Sequence, residues 1–130
     1  MSALSEVLDP YRRRIARDTA TLSRAMLAYA TATVDDAEPG AFTSSRIRRA
    51  LDSLDSNIAA ARRRVRALPR DTPGRGRAYN ALGTLAQGYA ELEESLKGMG
   101  TQEGIDAATS AEGHLAAGGE QLDALRRYLR

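Results

Sequence analysis

Four stretches of this chain repeat apolar residues in alternating steps of four and three, and that spacing commits each stretch to a helix. The first runs Leu4, Leu8, Tyr11, Ile15, Leu22, Met26, Tyr29, with a polar gap at Asp18/Thr19. The second is cleaner: Ile47, Leu51, Leu54, Ile58, Ala61, Val65, Leu68. The third reads Ala78, Leu82, Leu85, Tyr89, Leu92, Leu96, Met99. The fourth is the weakest, with Ile105, Ala108, Leu115, Leu122, Leu125 and Leu129 interrupted by Glu112 and Gly119. Steps of this kind place one apolar stripe on one helix face, and no stretch alternates as a strand would.

The breaks between stretches agree. Asp9-Pro10 reads as an N-cap followed by proline at the first helical position, leaving residues 2–8 as a short separate turn. Asp35 to Gly40 stops the first helix, and Phe42 and Ile47 flank Thr43 at the spacing of a hydrophobic staple. Pro69 ends the second helix, and Arg70 to Gly76 forms a turn. Gly98-Met99-Gly100 followed by Thr101 joins a C-cap directly to an N-cap. The expectation is one all-α domain over residues 1–130, an antiparallel up-down-up-down four-helix bundle with helices at about 10–34, 43–68, 75–98 and 101–129. Connections this short make sequential neighbours antiparallel, and heptad-like spacing favours shallow crossings.

At 130 residues the chain can bury a core without staples, and it has no cysteine for disulfides or thiolate metal sites. No run approaches the 18 or so apolar residues of a membrane span. The opening MSALSEVLDPYRRR does not have the layout of a secretory signal. A cytoplasmic protein is expected. With five Tyr, one Phe and no Trp, the core falls to Leu, Ile, Val and Ala.

The last two helices carry Gly83, Gly88, Gly104, Gly113, Gly118 and Gly119. Each costs roughly 1 kcal/mol against alanine in a helix interior. Close helix–helix approach is one explanation; a break at Gly118-Gly119 is the other. Either makes the C-terminal hairpin the softer half.

No catalytic apparatus is legible. His114 is the sole histidine, so any Ser-His pair must be built around it, and exposure on a weakly apolar helix is the simpler expectation. Glu112-Gly113-His114 lacks the Glu-x-x-His spacing of di-iron bundles and has no second copy. Glu91, Glu93 and Glu94 read as a solvated face rather than a cation site. Gly74-Arg75-Gly76 is too short for a phosphate loop and follows no strand. The sequence therefore points to a protein that is not an enzyme, with no cofactor and no metal.

One pair of residues echoes a known family. Tyr89-Ala90-Glu91-Leu92-Glu93 resembles the Tyr-x-x-x-Glu export tag of small helical type VII secretion substrates. The resemblance covers this pair alone. That family's Trp-x-Gly turn has no counterpart in a chain without Trp, and the match lies inside the third helix. Export by that route is what the resemblance implies, as a third functional reading.

The strongest functional clue is where charge collects. The chain carries 18 Arg and one Lys against 17 acids, a net +2. Folding the four helices alternately up and down gathers Arg12, Arg13, Arg14, Arg17, Arg62, Arg63, Arg64, Arg66, Arg70, Arg75, Arg77, Arg126, Arg127 and Arg130 at one end. Only Glu6, Asp9, Asp18, Asp71, Glu120 and Asp123 oppose them there, while the other end is acidic. Arginine at helix C-termini complements the macrodipole, which accounts for Arg62 to Arg66 and Arg126 to Arg130. It does not account for Arg12 to Arg17, Arg75 or Arg77, placed near helix starts. Tyr11, Tyr79 and Tyr128 should share this end, and Arg with Tyr is enriched at binding hot spots.

The candidate interaction residues are Arg12, Arg13, Arg14, Arg17, Arg62, Arg63, Arg66, Arg75, Arg77, Arg127, Tyr11, Tyr79 and Tyr128. Two function classes follow. The favoured one is a non-enzymatic interaction or assembly module whose basic end docks on an acidic protein partner or on the acidic end of another copy. The alternative is sequence-nonspecific binding of nucleic-acid phosphates; no helix-turn-helix or zinc finger supports base reading. The polar gap at Asp18/Thr19 points to a buried polar contact or a subunit contact, and a salt-bridged Asp–Arg pair inside the bundle is the favoured account.

Overall fold

The computed structural model describes residues 2–31, 45–98 and 101–128. They form four helices: α1 (Ala3–Thr31), α2 (Ser45–Ala67), α3 (Arg75–Lys97) and α4 (Gln102–Tyr128). The expected stop at 35–40 and the Phe42/Thr43 staple lie outside the described residues.

The helices pack in the order α1, α2, α3, α4 and back to α1, each against its two neighbours in this ring and hardly across the diagonal. Contacts between neighbours run in opposite directions along each chain. Arg66 and Arg62 of α2 meet Arg75 and Tyr79 of α3 in that order. Leu85, Gly88 and Ser95 of α3 meet Gly118, Leu115 and Gly104 of α4. Asp9 to Ser23 of α1 border Arg126 back to Leu115 of α4. The chain therefore zigzags as an antiparallel up-down-up-down four-helix bundle.

The stripes read from the sequence form the core. Leu4, Leu22 and Met26 of α1, Leu51, Leu54 and Val65 of α2, Leu82, Leu85 and Leu92 of α3, and Leu115 of α4 are all sealed from solvent. Pro69 closes α2 as expected, and Gly74 turns the chain with a φ of 81°, a left-handed conformation glycine adopts without a Cβ penalty. At the other hairpin, the Thr101 hydroxyl accepts from the Gly104 amide at 3.1 Å and caps α4. The buried Ser95 hydroxyl donates to the Gly104 carbonyl at 2.9 Å, fastening the end of α3 to the start of α4.

Three expectations need correction. First, α1 begins at Ala3, and Pro10 lies inside it. Ser2 is the cap: its hydroxyl accepts from the Ser5 amide at 3.1 Å and its carbonyl from Glu6 at 3.1 Å. A helix-interior proline costs about 3 kcal/mol. Burying Leu4 and Leu8 contributes about 1.5–3 kcal/mol each, enough to offset it.

Second, Asp18 is buried at 4 % exposure, but its partner inside the bundle is Ser53. The Ser53 hydroxyl donates to Asp18 at 2.5 Å, and Asn57 donates in turn to Ser53. Arg17 reaches the same carboxylate at 3.6 Å from outside, its own side chain 70 % exposed. A short hydroxyl on α2 satisfies the acid without burying a second charge.

Third, helix–helix approach explains only some of the glycines. A Cβ on Gly118 would lie 2.6 Å from Leu85 Cγ, and one on Gly88 would lie 2.9 Å from Leu115. These are reciprocal holes for two core leucines. At Gly83, Gly113 and Gly119 a Cβ would meet nothing within 4 Å. The α4 helix is continuous through Gly118-Gly119.

Candidate basic docking pole

Because α1 and α3 start where α2 and α4 end, the four arginine-rich segments come to one pole. The α2–α3 corner of this pole is held by two arginine contacts. Arg75 donates to the Arg66 carbonyl at 2.9 Å, so a cation from the first turn of α3 sits on the C-terminal carbonyls of α2. Arg62 lies over the Tyr79 ring at 4.9 Å and donates to its hydroxyl at 3.4 Å. Both arginines are half-buried and engaged within the fold.

On the α1 side, Arg12 is only 14 % exposed and donates to Asp9 at 3.0 Å. Arg13, Arg14, Arg63, Arg64, Arg66, Arg126 and Arg127 are exposed, and none has an ion pair among the described residues. Arg77 is exposed and makes an interaction of its own. Tyr11 and Tyr79 are half-buried and pack on the core, so their rings are not free platforms. Tyr128 falls in the last turn of α4, and its side chain lies outside the described residues.

The early start of α1 changes the electrostatic argument. Arg12 to Arg17 begin ten residues into the helix, beyond the first turn where a cation is disfavoured. Arg75 and Arg77 do occupy the first turn of α3, which has no acid and only Gly74 as its cap. Arg75 is relieved by its contact with α2. What remains unexplained by helix dipoles is the exposed group on α1, with Arg77.

Sequence reasoning passed over Arg126 as a site residue. Leu122 and Leu125 are buried, so residue 126 falls on the shoulder of the α4 stripe, facing α1. There it lines a cleft of about 360 Å³ with Asp9, Pro10, Arg12 and Arg13. The phase of the α4 stripe could have revealed this.

Toward the other pole, the acids of α3 take separate partners. His114 is half-buried, not exposed as expected, with Nδ1 against Glu91 Oε1. The Tyr89 hydroxyl donates to Glu93 at 2.7 Å, so the two residues of the Tyr-x-x-x-Glu pattern bind each other. Burial, then this hydrogen bond, then the charges of Glu93, Asp55 and Asp52 push the Tyr89 phenol well above its ordinary range. Glu94 is exposed near Lys97, and Asp52, Asp55, Glu103 and Asp106 are exposed on α2 and α4. No group of three or more metal-binding side chains occurs among the described residues, and no described helix is long and apolar enough to cross a membrane.

Comparison with protein-family models, with curated proteins and with solved structures gives no match.

Proposed function

We propose that this protein is a non-enzymatic assembly module whose arginine pole docks on an acidic protein surface, that of a partner or of another copy. The observation that carries the reading is that Arg13 and Arg14 of α1, Arg63, Arg64 and Arg66 of α2, and Arg126 and Arg127 of α4 are exposed with no ion pair among the described residues. Gathering like charge costs self-repulsion, which an acidic partner would relieve. The acids exposed toward the opposite pole give a second copy a complementary surface. A head-to-tail contact of that kind is heterologous and need not close, so it builds rings or filaments.

The competing reading is nucleic-acid binding through phosphates, which the same exposed arginines would suit. Tyr11 and Tyr79 pack on the core and offer no stacking platform for bases, which favours a protein partner.

The test is light scattering of the intact protein at low and near-physiological salt, beside a gel shift with random-sequence duplex. Salt-sensitive self-association, or salt-sensitive capture of an acidic protein, abolished by reversing Arg63, Arg66 and Arg127 to Glu, supports docking. Duplex binding with a log–log salt slope of about −0.9 per phosphate contact supports the competing reading.

A further inference from the structure

The docking reading leaves open where on the pole a partner makes its decisive contact. The cleft between α1 and α4 answers with chemistry as well as charge. Asp9, Pro10, Arg12 and Arg13 of α1 line one side and Arg126 of α4 the other, so three arginines and one aspartate share the cleft. That carboxylate is engaged by Arg12 Nη1 at 3.0 Å.

Arg12 is the unusual member. Its side chain is 14 % exposed, yet Nε and Nη2 are buried with no hydrogen-bond partner among the described residues. Those two atoms lie along one edge of the guanidinium, the edge that holds a carboxylate by two parallel hydrogen bonds. A buried donor without an acceptor costs free energy, so a site that leaves two on one fork is built to receive one. Arg13 and Arg126 are exposed at the rim, where charge speeds encounter more than it holds the complex.

We propose that this cleft is the receptor for a carboxylate side chain of the acidic partner, with the Arg12 Nε/Nη2 fork as its anchor. The inference rests on the docking reading above. A carboxylate fits better than a phosphate monoester. It is planar and singly charged, whereas the second charge of a phosphate monoester would meet Asp9 on the same wall. Because the fork atoms are covered, receiving a carboxylate would require the Arg12 side chain to turn within the cleft it lines.

The test is fluorescence anisotropy of the full chain with a labelled polyglutamate peptide at near-physiological salt. Four variants are compared: Arg12→Lys, Arg13→Glu, Arg126→Glu, and Arg64→Glu as an exposed control at the same pole outside the cleft. Arg126→Glu and Arg12→Lys should each weaken binding by about tenfold or more, since one reverses a charge in the cleft and the other removes the fork while keeping the charge. Arg13→Glu should fall between these and the control. Arg64→Glu should cost less than about threefold.

Equal losses at Arg64 and Arg126, or an unchanged Arg12→Lys, would overturn the cleft and leave the docking reading standing, because the field of the whole pole would then explain binding. Failure of the wild type to bind the peptide while it binds random duplex would overturn both. Helical circular dichroism checks each fold, and if Arg12→Lys does not fold, the comparison of Arg126 with Arg64 decides.

Discussion

The guanidinium of Arg75, in the first turn of α3, donates to the carbonyl of Arg66, in the last turn of α2, at 2.9 Å. Two residues of one arginine-rich segment thus do different things. Arg75 completes a helix end, while the side chain of Arg66 stays exposed. Replacing Arg75 with alanine should destabilise the fold by about 1 kcal/mol, the ordinary net worth of such a bond. Arg63→Ala should stay within about 0.5 kcal/mol, as exposed substitutions usually do. Urea unfolding of the two variants distinguishes them.

The glycines of the C-terminal hairpin divide into two kinds with opposite responses to alanine. Gly118→Ala drives a Cβ against Leu85, including its backbone nitrogen at 3.2 Å, and should destabilise by about 1–3 kcal/mol despite the gain in helix propensity. Gly83→Ala and Gly113→Ala meet open space and should stabilise by about 0.5–1 kcal/mol each. Thermal melts of the three single variants test the packing of α3 on α4. A rise in stability at Gly118 would show that the helices are further apart than described.

Asp18 and Ser53 form the buried polar link between α1 and α2. Ser53→Ala leaves the carboxylate with only the exposed Arg17 and should cost about 1–3 kcal/mol. If the pair acts as a unit, removing both polar groups costs less than the sum of the single changes. A double-mutant cycle by denaturant unfolding gives the coupling directly.

Tyr89 predicts the alkaline behaviour. Its folded-state pKa is raised, so its contribution to stability is complete below the unfolded tyrosine value of about 10 and declines as pH rises beyond it. Tyrosinate absorbance should show one phenol ionising only as the protein unfolds. Tyr89→Phe should lose stability less steeply above that pH than the wild type. An early, reversible ionisation of every tyrosine in the folded protein would contradict the Tyr89–Glu93 contact.

Much of this architecture was legible in the residues themselves. The 4-3 spacing, Pro69, and the Gly98–Thr101 junction marked helix phase and breaks, because burial and capping act locally. Pro10 misled for the same reason. Its local preference for a helix start was overridden by Leu4 and Leu8, whose value depends on a core assembled from distant segments. The partner of Asp18 was illegible because Ser53 looks like any polar residue until α2 is laid beside α1. The cleft needed Arg126 brought against Arg12, a pairing set by the α1–α4 packing and by no motif.

The central claim is that arginines far apart in sequence share one pole, and a spin label tests it most directly. The chain has no native cysteine, so Arg66→Cys gives a single attachment point at the end of α2. A 23-residue helix spans about 35 Å, which separates the poles well. The account predicts strong broadening of amide signals in residues 75–79 and measurable broadening in residues 10–14 and 123–127, with residues 91–97 and 102–110 untouched. Broadening of 91–97 or 102–110 in place of the arginine-rich segments would mean that the helices do not zigzag, and the docking pole would not exist.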